Sequence, residues 1–140
     1  MTGFRHRISH APRITSFSNL HTIGLAIGSY AENHRMLPLR LSNLVPDCIP
    51  TNEIAIFYVL NQDARQDILP SDLKENPTYI DLYSSYVYLG TNGVRGIIAY
   101  EKTNLWKSTA TYPDKVAVLF FDFHVQYVSI VELQKMLFRL

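Results

Sequence analysis

The chain has 140 residues, 47% of them apolar, which is enough to build one core without staples and makes a single domain the expectation. A formal net charge of +1, with the 13 Lys and Arg spread along the chain, excludes the basic field that neutralises a phosphate backbone, so nucleic acid is not an expected partner. The one cysteine, Cys48, excludes an internal disulfide and a cysteine-based zinc set, and the longest apolar runs, Ile54 to Leu60 and Val116 to Phe121, fall far short of the roughly 20 residues of a membrane span.

The opening stretch, MTGFRHRISHAPR, carries the charge of a signal peptide's first region but leads into no apolar segment. Residues 1–12 read as a flexible basic arm, and residues 13–140 as the domain. His6 and His10 lie beside Arg5 and Arg7, a grouping that suits metal or an anionic surface but is explained more simply by a disordered basic arm. From Arg13 to His34 the apolar residues Leu20, Ile23, Ile27, Tyr30 and Ala31 recur every three or four positions, which predicts a helix of about five turns with one buried face. Thr15, Ser16 and Ser18 are its candidate N-caps. Gly24 and Gly28 each cost roughly 1 kcal/mol inside a helix, a cost that close approach by another element can offset.

Pro38 ends the helix, and Leu39 to Pro77 reads as mostly loop, punctuated by Pro46, Pro50 and Pro70. Ser42 to Val45 fits one helical turn, and Glu53 to Leu60 fits either a strand or a short buried helix. Ser85–Leu89 and Gly96–Glu101 predict two neighbouring antiparallel strands joined across Gly90, Thr91, Asn92 and Gly93. Lys115–Phe121 and His124–Val128 predict two more, with a turn at Asp122 and Phe123. A two-residue turn there pairs Phe120 with Val125 and Val118 with Tyr127 on one face, toward the helix, and leaves Leu119, Phe121, His124 and Gln126 on the other. Ser129 and Glu132 have capping-box spacing and open an amphipathic helix with Ile130, Leu133, Leu137 and Leu140 on one side. The fold class is α+β: a long N-terminal helix on a three- to four-stranded antiparallel sheet, with an irregular middle insert and a short C-terminal helix.

In order, SNLHTIGLAIGSYAENHRMLP from Ser18, LSNLVPDCI from Leu41, SYVYLG from Ser85, IIAYEK from Ile97 and VAVLFFDFHVQYVSIVELQ from Val116 resemble the globular portion of type IV pilin-like proteins, the family of the type II secretion major pseudopilin. The resemblance spans about residues 16 to 130. It implies a non-enzymatic structural subunit or accessory of a secretion or pilus-like assembly, acting through protein contacts in the bacterial periplasm or cell envelope. In that family the helix continues N-terminally into an apolar membrane segment used for filament packing, and no such segment lies within these 140 residues. The family's hairpin reads Asp-Gly-His-Val, with the glycine at positive φ. Here Asp122, Phe123, His124 and Val125 put a phenylalanine at that position at a cost on the order of 1 kcal/mol, so a wider turn is the alternative.

Asp122 and His124 are the metal or catalytic candidates, because residues two apart on extended chain share a side. With no third ligand in view, a turn cap and a strand-covering imidazole are the simpler reading. Glu32, His34, Asp47, Asp63, Asp67, Asp72 and Asp81 lack calcium-loop spacing, so calcium, which the resemblance allows, maps onto no residues here. No Gly-x-Ser-x-Gly elbow occurs, Cys48 lies between two prolines without a nearby histidine, and Gly90, Gly93 and Gly96 read as turn residues. No catalytic residue and no cofactor is therefore assigned. Tyr79, Tyr83, Tyr86, Tyr88, Tyr100, Trp106 and Tyr112 either line a sheet or offer contact area. Protein contacts are expected through Leu20, Ile23 and Ile27 on the helix and through Tyr86, Tyr88 and Trp106. The alternative function is a stand-alone ligand- or peptide-binding module that has lost a membrane anchor. A metal-dependent hydrolase centred on Asp122 and His124 is a third reading.

Overall fold

A computed structural model describes residues 2–59, 75–93, 95–106 and 114–138, with side chains described from Arg13 onward. Tyr112, Leu140, Asp63, Asp67, Asp72 and the side chains of His6 and His10 lie outside the described residues. Helix α1 spans Thr2–His34, a rod of roughly 50 Å at 1.5 Å per residue. It thus begins well before Arg13, and the backbone of the segment read as an arm is helical from Thr2. Its buried stripe runs Arg13, Ser16, Leu20, Ile23 and Ile27, alternating steps of three and four. Ser16 is mid-helix and not an N-cap, because its hydroxyl is engaged by the sheet. The helix stops where Arg35 turns left-handed at φ 57° and returns its N–H to the Ala31 carbonyl at 2.7 Å, three residues before Pro38.

The middle insert holds 3-10 turns at Leu41–Leu44 and Thr51–Phe57, which resolves the strand-or-helix ambiguity in favour of a helix from Glu53 to Phe57, with Tyr58 extended and Leu60 outside the described residues. A 3-10 turn eclipses side chains three apart, so Leu41 with Leu44 and Ile54 with Phe57 share buried edges. The second turn packs on α1. Helix α2, Tyr79–Tyr83, is tied to the first turn by Asp81, whose carboxylate accepts the Ser42 hydroxyl at 2.6 Å and the Ser42 N–H at 3.0 Å.

Strands β1 (Tyr86–Tyr88), β2 (Ile97–Glu101), β3 (Lys115–Phe120) and β4 (Val125–Ser129) form one antiparallel sheet in chain order, as the alternation predicts. Val116 to Leu119 are fully buried because both faces of β3 are covered, which explains an unbroken apolar run in place of alternation. Helix α1 runs along β3 in the same sense. Arg13 reaches the Lys115 carbonyl, a Cβ on Gly24 would lie 2.7 Å from Leu119 Cδ1, and a Cβ on Gly28 would lie 3.3 Å from the Phe123 ring. Gly24 therefore lets the helix sit close on the central strands.

The β3–β4 register corrects the sequence expectation. Leu119 pairs with Val125 and Ala117 with Tyr127, one residue away from the predicted pairs. Phe121, Asp122 and Phe123 form a three-residue loop, closed by bonds from Phe123 N–H to the Phe120 carbonyl (2.8 Å) and from Phe120 N–H to the His124 carbonyl (3.0 Å). Phe123 takes φ 67°, the left-handed residue such loops require. One extra loop residue flips β3 relative to β4, so Leu119, and not Val118 or Phe120, faces α1, alongside Tyr127. Helix α3, Ile130–Phe138, opens with Ser129 Oγ accepting the Glu132 N–H at 3.1 Å and buries Leu133.

Candidate functional site

In an antiparallel meander the start of β1, the end of β2, the start of β3 and the end of β4 fall at one end of the sheet. That end gathers Tyr86, Glu101, Lys115 and Tyr127, and α1 lays Arg13 and Ser16 over it. Glu101 is fully buried at 0% exposure. Its Oε2 accepts the Ser16 hydroxyl at 2.5 Å, and its Oε1 accepts the Ala117 N–H at 2.5 Å, so the β2–β3 ladder continues through a side chain where the backbone pairing stops. Tyr86 donates its hydroxyl to the Ser16 carbonyl at 3.0 Å, with the Ser16 hydroxyl also 3.0 Å away. The Arg13 guanidinium lies against the rings of Trp106 and Tyr127 and donates through Nη2 to the Lys115 carbonyl at 2.6 Å.

Burial sets the electrostatics. Loss of solvation pushes the Glu101 carboxyl above its usual range, opposed by its bonds from Ser16 and Ala117 and by attraction to Arg13. Desolvation likewise raises Tyr86, and the Glu101 charge adds to that shift. Both Glu101 oxygens are occupied by protein donors, so the cluster fastens α1 to four strands and presents no free nucleophile or base.

At the opposite end of the sheet, the β3–β4 tip does bring Asp122 and His124 together. His124 Nδ1 meets Asp122 Oδ1, His124 Nε2 lies 3.2 Å from Gln126 Oε1, and the imidazole stacks on Phe120 at 4.7 Å. Their side chains are 67% and 48% exposed. The hydrogen bond to the aspartate raises the histidine's pKa, and the same bond to the histidine lowers the aspartate's. Both imidazole nitrogens are taken, and among the described residues no group of three His, Cys, Asp or Glu could hold a metal ion.

The six expected contact residues lie inside the molecule. Leu20, Ile23 and Ile27 pack in the core under the sheet and insert, Tyr86 and Trp106 are buried in the Glu101 cluster, and Tyr88 is half-buried with its hydroxyl donating to the Pro38 carbonyl at 2.5 Å. The same physics that makes them good contact residues draws them into the chain's own core. Arg13 and Glu101 were given no role from the sequence, and Ser16 was read only as a candidate N-cap. A signal was present, since Arg13 and Ser16 extend the Leu20–Ile23–Ile27 stripe upstream at the same spacing.

On the sheet's other face, Val87, Tyr100, Lys102, Leu133, Leu137 and Phe138 line a groove of about 390 Å³ between the strands and α3. No helix among the described residues is long and apolar enough to cross a membrane. No family model matches the chain, and no curated protein or solved structure is significantly similar to it.

Proposed function

We propose that the chain is a non-enzymatic structural subunit or accessory of a pseudopilus-type assembly, working through protein contacts in the bacterial periplasm or cell envelope. The observation that carries the reading is the path of α1, a single helix that enters first and lies lengthwise along an antiparallel β1–β4 meander. Helix, insert, four strands and terminal helix follow in the order that the pilin resemblance implies. Support also comes from the polar groups: Glu101, Ser16 and Tyr86 bind each other and the backbone, and the His124 imidazole is taken up by Asp122 and Gln126. With the core residues withdrawn, partner contacts pass to outward residues such as Ile14 and Leu25, which lie three turns apart on one side of α1 and are 65% and 57% exposed.

Photo-crosslinkers placed at Ile14, Leu25 and Leu82 in the native cell envelope test this. Adducts to a secretion or pilus component are expected, and adducts to none at any of the three positions would end the reading. The groove beside α3 favours a second reading, the stand-alone ligand- or peptide-binding module, since its volume falls in the range of small-molecule sites. A small molecule retained by the purified protein in native mass spectrometry, together with silent crosslinkers, is the outcome that would select it.

A further inference from the structure

The face of the sheet turned away from α1 carries a lysine in an apolar setting. Val87 of β1 and Tyr100 of β2 are direct cross-strand partners, on the face opposite Tyr86 and Glu101. The ladder runs one step further, with the Lys102 N–H donating to the Ser85 carbonyl at 2.9 Å, so Lys102 falls two residues beyond Tyr100 on the same face. Helix α3 supplies the second wall through Leu133 and Leu137, one turn apart, and Phe138. Between the walls lies the groove of about 390 Å³, whose polar end adds Thr103 and Asn104 beside Lys102. Among the described residues that line it, Lys102 is the cation and none is an acid. Lysines ordinarily bury the stem and keep the ammonium in water. Here loss of solvation holds the Lys102 pKa below its ordinary value, so the charged end itself has given up water.

We propose that this groove binds a monocarboxylate with an apolar body, such as a medium-chain fatty acid, its carboxylate on Lys102 and its chain against Val87, Leu133, Leu137 and Phe138. A partly desolvated ammonium gains more from an opposite charge than one in bulk water, because less solvent screens the attraction. Tyr100, Thr103 and Asn104 carry neutral donors for the oxygen that Lys102 leaves. A phosphate dianion would draw on an arginine fork or a second cation, and the described lining has neither. The volume lies toward the lower end of small-molecule sites, which suits a medium chain better than a long one. The inference rests on the ligand-binding reading of the groove and gives it a chemical class.

The intact protein, with labelled leucine and valine methyls, would be titrated by NMR with octanoate, octyl glucoside and octyltrimethylammonium below their micelle concentrations. The three share one tail and differ in the charge of the head, and acetate serves as the head alone. Octanoate should shift the Val87, Leu133 and Leu137 methyls along a saturating curve, with half-saturation several-fold below that of the neutral and cationic tails. Acetate at the same concentrations should leave those methyls in place. Lys102→Met, which keeps the aliphatic stem and removes the charge, should weaken octanoate roughly tenfold, the scale of one charge-assisted bond, and leave octyl glucoside unchanged. Equal affinity for the three tails, or octanoate binding undiminished in Lys102→Met, would overturn the inference while leaving the groove a ligand site. Shifts centred on Leu25 or Leu82 would mean adsorption to the outer surface and would overturn it as well. No shift with any tail would sink both the inference and the ligand-binding reading. Should Lys102→Met disturb the fold, seen as methyl shifts throughout the ligand-free core, the comparison of heads in the unaltered protein decides: preference for octanoate supports the site, and equal binding refutes it.

Discussion

The two ends of the sheet each carry an acid with a polar partner, and burial makes them opposites. At one end Glu101 is sealed under α1, its pKa pushed up because its charged form has lost water. At the other, Asp122 sits in solvent on the hairpin tip, its pKa pulled down by His124. Identical chemistry thus performs two tasks. The buried acid orders the meeting of helix and strands, whereas the exposed pair decorates a turn whose shape is set by Phe123 and the backbone.

The largest effect that can break this contrast is at Glu101. Glu101→Ala strands the Ser16 hydroxyl and the Ala117 N–H in the core and should cost about 3 kcal/mol, read as a lower urea midpoint. Glu101→Gln keeps the shape and removes the charge, so it isolates the titration. A carboxyl whose folded pKa is raised contributes stability that is fully present below its unfolded value of about 4.5 and is lost as pH rises through the folded value. The unaltered protein should therefore weaken relative to Glu101→Gln as pH climbs from 4 toward 8. A pH-independent gap between the two would show that the carboxyl is not desolvated.

Between the two ends, Gly24 governs how closely α1 can lie. A Cβ there would stand 2.7 Å from a Leu119 methyl that is itself fully buried. Gly24→Val should lower stability by about 2 kcal/mol, overpacking outweighing the gain in helix propensity. A neutral outcome in thermal unfolding would mean that the helix is free to lift from β3.

These two regions also differ in how much the sequence discloses. The three-and-four spacing of Leu20, Ile23 and Ile27, and the β-branched runs at Ile97 and Val116, mark the helix and strands directly, because each reports a face that must leave water. Register is not so marked. Whether Leu119 or Phe120 meets the helix depends on one loop residue, and a phenylalanine in a left-handed conformation carries no compositional signal when its compensation, the ring against Gly28, comes from a helix far away in sequence. The Glu101 cluster was hidden for a related reason. A lone glutamate closing a strand reads as a solvated end until Ser16 and Arg13 are seen to lie over it, and the large aromatic residues that look suited to partners are consumed by the chain's own core.

A smaller effect belongs to the tip itself. Phe123→Ala keeps a side chain at φ 67° and loses the ring on Gly28, whereas Phe123→Gly loses the ring but gains backbone freedom. The glycine variant should be the more stable of the two by about 1 kcal/mol in urea unfolding. Equal midpoints would place residue 123 outside the left-handed region and return the two-residue turn, with its opposite face of β3, to consideration.

The smallest effect is at Asp122. Its carboxylate is the leading cause of the raised His124 pKa, so Asp122→Asn should bring the imidazole midpoint, followed by NMR of the ring protons, back toward 6.5. The pair's mutual stabilisation belongs to the window where both are charged. The aspartate's share is lost as pH falls through its lowered folded pKa, and the histidine's share is complete below 6.5 and lost as pH rises through its raised folded value. Both side chains are well exposed, so solvent screens the attraction, and the unfolding midpoint at neutral pH should not move measurably in Asp122→Asn. If that substitution instead destabilised the protein as Glu101→Ala is expected to, the hairpin tip would be a second structural lock and burial would not be what separates the two ends.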